Sequence, residues 1–469
     1  MPVRTKKIVV ENLEITGYAA EGRSLGRLGG KVLFVEGAVP GDVADVLLTK
    51  NKKDWAEGRA VKFTTLAGNR IEPFCIHFGT CGGCKWQMLP YPQQLVYKQQ
   101  EVEQNFRRIA KVPVPELLPI IGSAKTTCYR NKLEFTFSNK RYLTNQEIDK
   151  SKEIPQENAL GYHAPRVFDK IIDIKECYLM DDVNNVIRNT IRRYAVENKL
   201  TYYDIKNHSG FLRNIVIRYC TTGDLMVNLV VGYEDSSAIK TLADHLLQVV
   251  PSITTLLYTV NTKWNDSTGD LSSITYFGKG YVVEEMDGFR FKISSSSFFQ
   301  TNTKQAENLY TVAREFAGLS GNETVYDLYC GTGTIGLFLS KGAKKIIGVD
   351  VTLRSIEDAR ENATLNSVDK ASFFAGDVTD VCNDDFFIEH GMPDVIITDP
   401  PRAGMHEKLI KKLLGIAAAR IVYISCNTAT QARDINLLAE KYTVVKVQPV
   451  DMFPHTHHIE CVVLLKLKE

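Results

Sequence analysis

A cysteine stands at the end of a strongly apolar run near the C-terminus of the chain. Ile421-Val-Tyr-Ile-Ser-Cys-Asn427 has the composition of a buried strand, so Cys426 is expected where that strand ends. Ligands and catalytic groups gather at the carboxyl ends of strands in open α/β sheets. Cys426 alone also fits an inert core thiol, since free cysteine is commonly buried. Three further stretches carry side chains suited to chemistry: Asp327-Leu-Tyr-Cys-Gly-Thr-Gly333, Asp399-Pro-Pro-Arg402 and His457-His-Ile-Glu460.

The glycine-rich stretch predicts a loop that binds a nucleoside-containing cofactor. Gly331-Thr-Gly-Thr-Ile-Gly336 follows a predicted strand and opens a predicted helix. Asp350 closes the next strand, where such folds place an acid on the ribose hydroxyls. The loop alone also fits NAD or a plain tight turn. An Asp-Pro-Pro turn at Asp399 is typical of methyltransferases acting on planar nitrogenous rings, and it favours S-adenosylmethionine.

A cluster of cysteines predicts a metal centre. Cys75, Cys81 and Cys84 form a C-x5-C-x2-C pattern with glycines between them. Clustered cysteines in a reducing cytosol suggest a metal or catalysis before disulfides. Three thiolates need a fourth ligand for a zinc ion or an iron–sulfur cluster, with the iron–sulfur cluster preferred. Cys177 is the best candidate for that ligand and Cys128 is its rival.

The elements that must position these residues form a C-terminal α/β domain. Strands are predicted at Thr324–Tyr329, Lys345–Val349, Ala371–Ala375, Asp394–Thr398, Arg420–Ser425, Thr443–Val447 and Ile459–Leu465. Helical segments separate the first six strands, so the sheet is predicted to be largely parallel. The last two strands leave no room for a helix and are predicted to form an antiparallel pair. Such a hairpin is unlike a dinucleotide domain and again favours S-adenosylmethionine.

The rest of the chain divides into two further regions. Residues 7–63 show short strands and turns typical of a small antiparallel barrel with scattered cations, which fits an oligonucleotide-binding module and equally a solvated barrel surface. Residues 126–281 are predicted as strands with two helices. There, Tyr129-Arg-Asn-Lys132 and Phe211-Leu-Arg213 combine cations with rings, as single-stranded RNA recognition does. Residues 91–112 are predicted as an amphipathic helix.

Composition limits the class of protein. At 469 residues the chain has room for two or three domains, and its 44% hydrophobic and 24% charged residues are ordinary for a globular protein. The net charge of +2 means that any nucleic-acid surface must be local. We expect a cytoplasmic protein without a membrane partner, because no apolar run approaches the length of a membrane span and no signal-peptide core is present.

Taken together, the motifs resemble one family closely: the S-adenosylmethionine-dependent RNA uracil-5-methyltransferases of tRNA and 23S rRNA. The resemblance covers essentially the whole chain and adds Phe298-Phe-Gln-Thr-Asn302 to the motifs already named. It implies an N-terminal OB-like β-barrel of the TRAM type (1–66) that binds RNA. It also implies a central α+β domain with a [4Fe-4S] loop (67–285) and a C-terminal Rossmann-like α/β methyltransferase domain (286–469). In the family the helix after the cluster packs on the catalytic domain, which residues 91–112 could do.

The resemblance also implies roles for individual residues. Cys426 is expected to be the nucleophile and Glu460 the base. The cluster ligands are expected to be Cys75, Cys81, Cys84 and Cys177. Contacts to S-adenosylmethionine are expected from Gln300, Tyr329, Gly331, Gly333, Asp350 and Asp399. RNA contacts are expected from Arg130, Lys132 and Arg402.

The chemistry of uracil methylation explains why a thiol and a carboxylate are needed. C5 of uracil is a weak nucleophile until a thiolate adds at C6, and cysteine is both a good nucleophile and a good leaving group. A positioned base must then remove the C5 proton, for which Glu460 is preferred over His455, His457 and His458. The target base must also leave its stack to reach Cys426.

The sequence leaves alternative functions open. A non-catalytic RNA-binding metalloprotein is disfavoured, because RNA binding needs no cofactor loop. An amino-group methyltransferase would not need Cys426. Within the family, the TRAM-like barrel favours 23S rRNA over tRNA as substrate, and we expect a monomer.

Overall fold

The N-terminal region is a closed barrel. The computed structural model describes residues 8–144, 147–148 and 157–469, so residues 1–7 of the predicted first domain lie outside the described residues. Five strands close the barrel in the order β1-β2-β3-β5-β4. They are β1 (Val9–Ala19), β2 (Arg23–Leu28), β3 (Lys31–Glu36), β4 (Val43–Asn51) and β5 (Trp55–Thr65). Alternate residues such as Leu13, Val35 and Val46 fill its interior.

One pair of barrel strands corrects the sequence prediction of an antiparallel barrel. β3 and β5 run parallel, with Val32 opposite Trp55. β4 leaves β3 to pair with β1, and β5 returns antiparallel to β4. That crossover brings β5 beside β3 in the parallel sense and closes a barrel of OB type.

A helix and a short strand connect the barrel to the rest of the protein. Helix α1 (Tyr91–Asn105) continues into a π-helical turn (Phe106–Ala110), and strand β6 (Glu116–Leu117) follows. Pro92 lies in the first turn of α1, where its missing N–H costs nothing. Lys111 ends the helix with φ 53° and donates its N–H to the Phe106 carbonyl.

The central region is built on a seven-stranded sheet with the order β13-β12-β11-β10-β7-β8-β9. Its strands are β7 (Lys132–Ser138), β8 (Ala159–His163), β9 (Ile171–Asp173), β10 (Leu212–Tyr219), β11 (Leu225–Val231), β12 (Thr255–Val260) and β13 (Ile274–Gly278). Two helices, α2 (Val183–Glu197) and α3 (Ser236–Val249), share a core with the sheet. The hairpin formed by β14 (Val282–Met286) and β15 (Phe289–Ile293) precedes the C-terminal sheet.

The C-terminal sheet has eight strands in the order β18-β17-β16-β19-β20-β22-β21-β6. Its own strands are β16 (Thr324–Leu328), β17 (Lys345–Asp350), β18 (Ala371–Ala375), β19 (Val395–Thr398), β20 (Arg420–Ser425), β21 (Tyr442–Val450) and β22 (Glu460–Leu467). Its helices are α4 (Thr303–Ala317), α5 (Thr334–Leu339) with a 3-10 turn (Ser340–Gly342), α6 (Leu353–Leu365), α7 (Val378–Val381), α8 (Asp384–His390), α9 (Glu407–Ile416) and α10 (Thr428–Leu438).

The pairing within this sheet follows the sequence prediction in its main features. The strands β18, β17, β16, β19 and β20 are parallel, as predicted. The last two strands form the predicted antiparallel pair, and β22 inserts between β20 and β21. The sequence did not predict β6, which pairs in parallel with β21 and extends the sheet by one strand from outside the domain.

Helix α1 packs on the C-terminal sheet, called the catalytic sheet below, through buried polar contacts. The Lys98 ammonium lies 2.6 Å from an Asp451 carboxylate oxygen, and neither side chain is exposed. Asn105 donates to the Thr428 hydroxyl at 2.7 Å. None of the helices in the described ranges has the length and apolar composition that crossing a bilayer requires.

Candidate active site

Cys426 and Glu460 lie at the same edge of the catalytic sheet. β20 and β22 form an antiparallel ladder whose last pair is Ser425 opposite Cys461. One step further along, the position opposite Cys426 is that of Glu460. Direct neighbours across such a ladder have Cα atoms roughly 4.5–5.5 Å apart. The strands therefore bring a partly exposed thiol next to a carboxyl group that is only 4% exposed.

The residue after the thiol fixes the backbone on both sides of the site. Asn427 caps α10, and its side-chain oxygen accepts the N–H groups of Ala429 and Thr430 at 3.1 and 3.4 Å. Its amide nitrogen donates to the Arg402 carbonyl at 3.0 Å. This capping residue thus joins the end of β20 to the loop that follows β19.

Arg402 connects that loop to the start of β22. Its guanidinium donates to Nδ1 of His458 at 2.9 Å. Asp399 begins the same loop and directly follows β19. Three separate sequence motifs therefore converge on one site.

Burial and like charges set the protonation of the site. Burial, and then Glu460 and Asp399, raise the pKa of the Cys426 thiol to about 11, while Arg402 acts in the opposite direction. Burial raises the pKa of Asp399 to about 7. Burial, followed by the Asp399 charge, raises the pKa of Glu460 well above its usual range. The two carboxyl groups cannot both be ionised easily, so the site holds a proton near Cys426.

The glycine loop has a backbone that only particular residues can adopt. Tyr329 directly follows β16 with φ 62°, which is unusual for a bulky residue and is typical of functional sites. Gly333 has φ 75°, and a Cβ there would lie 2.9 Å from Phe373. Asp350 accepts the Gly331 N–H at 3.1 Å and the Thr352 N–H at 2.8 Å, which places its carboxylate against the loop.

A buried acid lies beneath the start of α5. Asp327 accepts the Gly336 N–H at 2.8 Å, while its other carboxylate oxygen is buried without a partner in the described structure. Burial, with repulsion from Asp399 and Asp350, raises its pKa to about 7. Burial, followed by the charges of Asp399, Asp327 and Glu460, raises the pKa of the Tyr310 hydroxyl, while Gln300 acts in the opposite direction. The glycine loop and the thiol site are therefore electrostatically coupled.

The thiol opens into a cleft of about 720 Å³ between the barrel and the catalytic domain, called here the Cys426 cleft. The catalytic side contributes Arg402, Cys426, Asn427, Thr428, His457, His458 and Ile459. The opposite wall consists of Glu21, Arg23, Glu36, Glu57, Lys85 and Glu101. A volume of this size has room for a nucleotide.

The segment between β21 and β22 is held from α1 and from the cysteine loop. Gln94 accepts the His455 N–H at 2.9 Å, and the His455 carbonyl accepts the N–H groups of Lys85 and Trp86 at 2.7 and 3.1 Å. Burial lowers the pKa of His455 and of His458 to about 4, and it lowers the pKa of His457 to about 3. All three histidines are therefore neutral near pH 7.

The four predicted cluster cysteines line a single cavity of about 610 Å³. Cys75, Cys81 and Cys84 enter it from one loop, and Cys177 from the segment between β9 and α2. The alternative ligand Cys128 is exposed and does not line the cavity. The two segments are tied together because His77 Nε2 accepts the Lys175 N–H at 2.9 Å.

The described residues contain no group of three or more His, Cys, Asp or Glu side chains arranged to hold one metal ion. The four cysteines thus share a cavity, but in the described part of the chain they do not form a metal site.

The predicted RNA-binding cations lie in different surroundings. Arg402 is exposed at the Cys426 cleft. Arg130 and Lys132 line the cysteine cavity instead, and the Arg130 guanidinium lies 5.3 Å from the Phe453 ring centre. Arg213, from the predicted Phe211–Arg213 cluster, is 1% exposed and donates to the carbonyls of a loop, so it serves the fold and does not face RNA.

The sequence did not predict several residues of the site. Asp327 is the first residue of the Asp327–Gly333 motif, and its position near the end of a predicted strand is the feature of the sequence that could have identified it. No local sequence pattern predicts the contact between Lys98 and Asp451, because the two residues lie 353 positions apart in the chain. Lys85 and Glu101 likewise reach the Cys426 cleft only through tertiary structure.

The fold and the site together define a class. S-adenosylmethionine-dependent methyltransferases share this arrangement. The sheet is mainly parallel, its last strand is inserted antiparallel near one edge, a glycine loop follows β16, and an acid ends β17. A neighbouring barrel of OB type adds a nucleic-acid-binding module. The protein is thus a methyltransferase with a nucleic-acid substrate.

Comparison with known proteins narrows the class to a family. The profile of the family "tRNA (Uracil-5-)-methyltransferase" matches residues 274–468, and that of the TRAM domain matches residues 4–61. An "Uncharacterized RNA methyltransferase" of Bacteroides thetaiotaomicron is 51% identical over 96% of this chain and 100% of its own length. A protein of the same description from Porphyromonas gingivalis is 49% identical over 97% of this chain and 99% of its own.

A solved structure supports the same assignment. The Pyrococcus abyssi tRNA (uracil-54, C5)-methyltransferase in complex with S-adenosyl-L-homocysteine superposes with a TM-score of 0.72. It is 28% identical and covers 98% of this chain and 100% of its own. The chain belongs to the family of S-adenosylmethionine-dependent RNA uracil-5-methyltransferases that carry a TRAM domain.

Proposed function

We propose that the protein methylates C5 of a uridine in 23S rRNA, with Cys426 as nucleophile and Glu460 as base. The observation that carries the proposal is the position of Cys426 opposite Glu460 at the end of the β20–β22 ladder. C5 methylation needs a thiol and a base on one pyrimidine ring, and cross-strand neighbours meet that requirement. A methyltransferase that acts on an exocyclic amine has no use for the thiol.

The cofactor site is proposed at the glycine loop. Asp350 accepts the Gly331 N–H and is positioned to accept from ribose hydroxyls as well. Gly331 borders open space, while Gly333 lets the loop pack closely on Phe373. We propose further contacts from Gln300, from Tyr329, which follows β16, and from Asp399, which follows the adjacent strand β19. When bound, S-adenosylmethionine supplies an electrophilic methyl group. The relative from Pyrococcus abyssi was solved with S-adenosyl-L-homocysteine, which supports this cofactor.

The side chains of this protein have distinct duties in the reaction. Cys426 loses its proton to solvent, to which it is partly exposed, and forms a bond from Sγ to C6; the electron pair of the C5–C6 double bond then makes C5 electron-rich. Arg402 favours the thiolate, because its charge lowers the pKa of Cys426. After C5 has been methylated, Glu460 in its ionised form accepts the C5 proton, the C–H electron pair restores the C5–C6 double bond, and the C6–S bond breaks, so that the thiolate leaves. Burial, and then the Asp399 charge, raise the pKa of Glu460, which makes its carboxylate a stronger base once it has lost its proton.

A [4Fe-4S] cluster on Cys75, Cys81, Cys84 and Cys177 is the second part of the proposal. All four thiols line one cavity, and four thiolates are the ligand set of a cubane cluster. A cluster there would tie the cysteine loop to the segment before α2. That loop continues into Lys85 and Trp86, which hold the His455 carbonyl next to the active site.

The choice between ribosomal and transfer RNA rests on two different considerations. The barrel favours 23S rRNA, because among the enzymes that the chain resembles this module goes with rRNA methylation more often than with tRNA methylation. The relative from Pyrococcus abyssi is described as a tRNA (uracil-54, C5)-methyltransferase and matches over its full length, which makes tRNA the second candidate.

Mapping of 5-methyluridine by mass spectrometry tests the proposal. RNA from a strain lacking this gene is compared with the same strain carrying the wild type or Cys426→Ala. We expect 5-methyluridine to disappear from one or more 23S rRNA positions and to return only with the wild type. Loss of 5-methyluridine from tRNA alone would identify tRNA as the substrate in place of 23S rRNA. Unchanged 5-methyluridine in both RNAs would refute the proposed function.

A further inference from the structure

A second groove lies between the barrel and the π-helical turn that ends α1. It has a volume of about 700 Å³, and Arg23, Phe34, Trp55 and Arg108 are among its lining residues. Arg23 and Glu57 line both this groove and the Cys426 cleft. The two cavities therefore adjoin at these two side chains.

The floor of this groove is aromatic. Phe34 on β3 and Trp55 on β5 lie on adjacent strands, with ring centroids 6.3 Å apart and planes inclined by 73°. Both side chains are partly exposed. The Arg23 guanidinium lies 5.4 Å from the centre of the Phe34 ring, and the Lys50 ammonium lies 4.6 Å from that of Trp55. Exposed rings flanked by cations are the surface on which single-stranded bases stack.

The rim of the groove carries cations from two different parts of the protein. Arg27 belongs to the barrel, and Arg108 to the π-helical turn. Both are exposed, and neither takes part in an ion pair within the described ranges of the chain. Of the two acids in the groove, Glu57 is paired with Arg23 at 3.2 Å, which leaves Asp54 as one negative charge against Arg27 and Arg108. The free charge at the rim is thus mainly positive, which suits a phosphate backbone.

The π-helical turn explains how Arg108 reaches the groove. Such turns are rare and are frequently found at functional sites. Here the turn closes with the bond from the Lys111 N–H to the Phe106 carbonyl at 3.0 Å. Arg107 precedes Arg108 and is equally exposed, but it donates to Gln104 on its own helix and does not line the groove.

We propose that this groove binds the RNA strand that flanks the target uridine, with a base stacked on Phe34 and Trp55 and phosphate held by Arg27 and Arg108. The inference rests on the proposed function for the identity of the RNA. It adds the path of the strand, which runs from the barrel groove past Arg23 into the Cys426 cleft. Arg108 then acts as a clamp from outside the barrel, so the RNA spans the junction of the two domains.

Binding of a short fluorescein-labelled oligouridylate, followed by anisotropy over a range of salt concentrations, tests the groove. Trp55→Leu removes a stacking surface and is expected to weaken binding about tenfold or more. Arg108→Gln is expected to weaken binding several-fold and to reduce the slope of log K against log salt by about 0.7. Arg107→Gln is the matched control and should bind like the wild type.

Equal binding by Arg108→Gln and Arg107→Gln would overturn the inference, and so would wild-type affinity in Trp55→Leu. Arg108 is a surface residue, so its variant keeps the test valid if Trp55→Leu does not fold. The outcome is separate from that of the proposed function. A protein that transfers no methyl group to uridine C5, yet loses affinity only in Arg108→Gln, would refute the function and retain the groove.

Discussion

At the scale of single residues, the environment of Glu460 favours its neutral form. The carboxyl group is buried, and the neighbouring Asp399 carboxylate raises its pKa further. A base in such a site is strong once ionised, because taking up a proton relieves the unfavourable burial of charge. The site therefore suits a late step in which a carbon-bound proton is removed.

Variants of the thiol and the carboxyl group should fail at different steps. Cys426→Ala cannot add to C6, so no covalent complex and no methylated RNA are expected. Glu460→Gln retains the nucleophile but cannot accept the C5 proton. It should accumulate a methylated RNA–protein adduct that survives a denaturing gel and is detected with labelled methyl groups. Near-normal turnover by Glu460→Gln would assign the base to another residue such as His458.

The raised pKa of Cys426 predicts a strong dependence on pH. Because the pKa is about 11 and the thiolate is the reactive form, alkylation of Cys426 by iodoacetamide should accelerate about tenfold per pH unit between pH 7 and pH 9. Arg402→Ala removes the charge that lowers this pKa, so alkylation should be slower at every pH. Peptide mass spectrometry isolates the signal of Cys426 from that of the exposed Cys128. An alkylation rate of Cys426 that does not change with pH would contradict its raised pKa.

The sequence predicted where Cys426 and Glu460 lie in the fold better than it predicted their surroundings. Cys426 and Glu460 were placed at strand ends by short-range patterns, and the ladder then brought those ends together. The coupling of Glu460 to Asp399 and the role of Asp327 could not be predicted, because pKa shifts depend on burial and on neighbours distant in the chain.

At the scale of elements, α1 is joined to the catalytic sheet by a fully buried ion pair. Lys98 donates to Asp451 at 2.6 Å and to the Phe453 carbonyl at 3.2 Å, and Tyr91 donates to the same carboxylate at 2.8 Å. These contacts fix the beginning of the segment that leads to Glu460. A buried charge that loses its partner is strongly destabilising.

Lys98→Met should therefore destabilise the protein by about 3–5 kcal/mol, because Asp451 remains buried without a counter-charge. The double variant Lys98→Met with Asp451→Asn should recover part of that loss, since no isolated charge remains. Urea unfolding followed by tryptophan fluorescence measures both. If the double variant is as unstable as the sum of its single variants, the pair is not coupled as the structure indicates.

The cysteine cavity depends on two loops that meet in space. If a [4Fe-4S] cluster occupies it, anaerobically purified protein should contain iron and sulfide in equal amounts and absorb broadly in the visible. Cys177→Ala should lose this absorption, whereas Cys128→Ala should retain it, because Cys128 does not line the cavity. Zinc as the sole metal in the wild type would refute the cluster.

Element prediction succeeded where periodicity was clear and failed where pairing was long-range. The alternating strands and helices of the catalytic domain follow from hydrophobic pattern and from glycine at loop positions. The parallel pairing of β3 with β5 and the addition of β6 to the sheet depend on partners that no local pattern specifies. The π-helical turn at Phe106–Ala110 has no sequence signal in a single chain.

At the scale of the whole molecule, the barrel docks on α1 and closes one side of the Cys426 cleft. The Tyr18 ring stacks on Tyr97 with centroids 4.6 Å apart and planes inclined by only 2°. It also meets Trp86 edge-on at 5.1 Å. Gly22 of the next turn faces His457, where an added Cβ would lie 3.2 Å from the histidine Cβ. Docking thus contributes to the burial that raises the pKa of Cys426.

Weakening this contact should expose the thiol without disturbing the cofactor site. Tyr18→Ala removes the stacked ring, an interaction of about 0.5–1.5 kcal/mol beyond its buried area. Cys426 should then be alkylated faster at pH 8, because reduced burial moves its pKa back toward the ordinary value and opens the path to it. The affinity for S-adenosyl-L-homocysteine, measured by calorimetry, should stay unchanged, since the glycine loop lies in the catalytic domain. Leu28→Ala is the control, because Leu28 belongs to the barrel but is 49% exposed. Equal alkylation rates in Tyr18→Ala and Leu28→Ala would mean that barrel docking does not control access to the thiol.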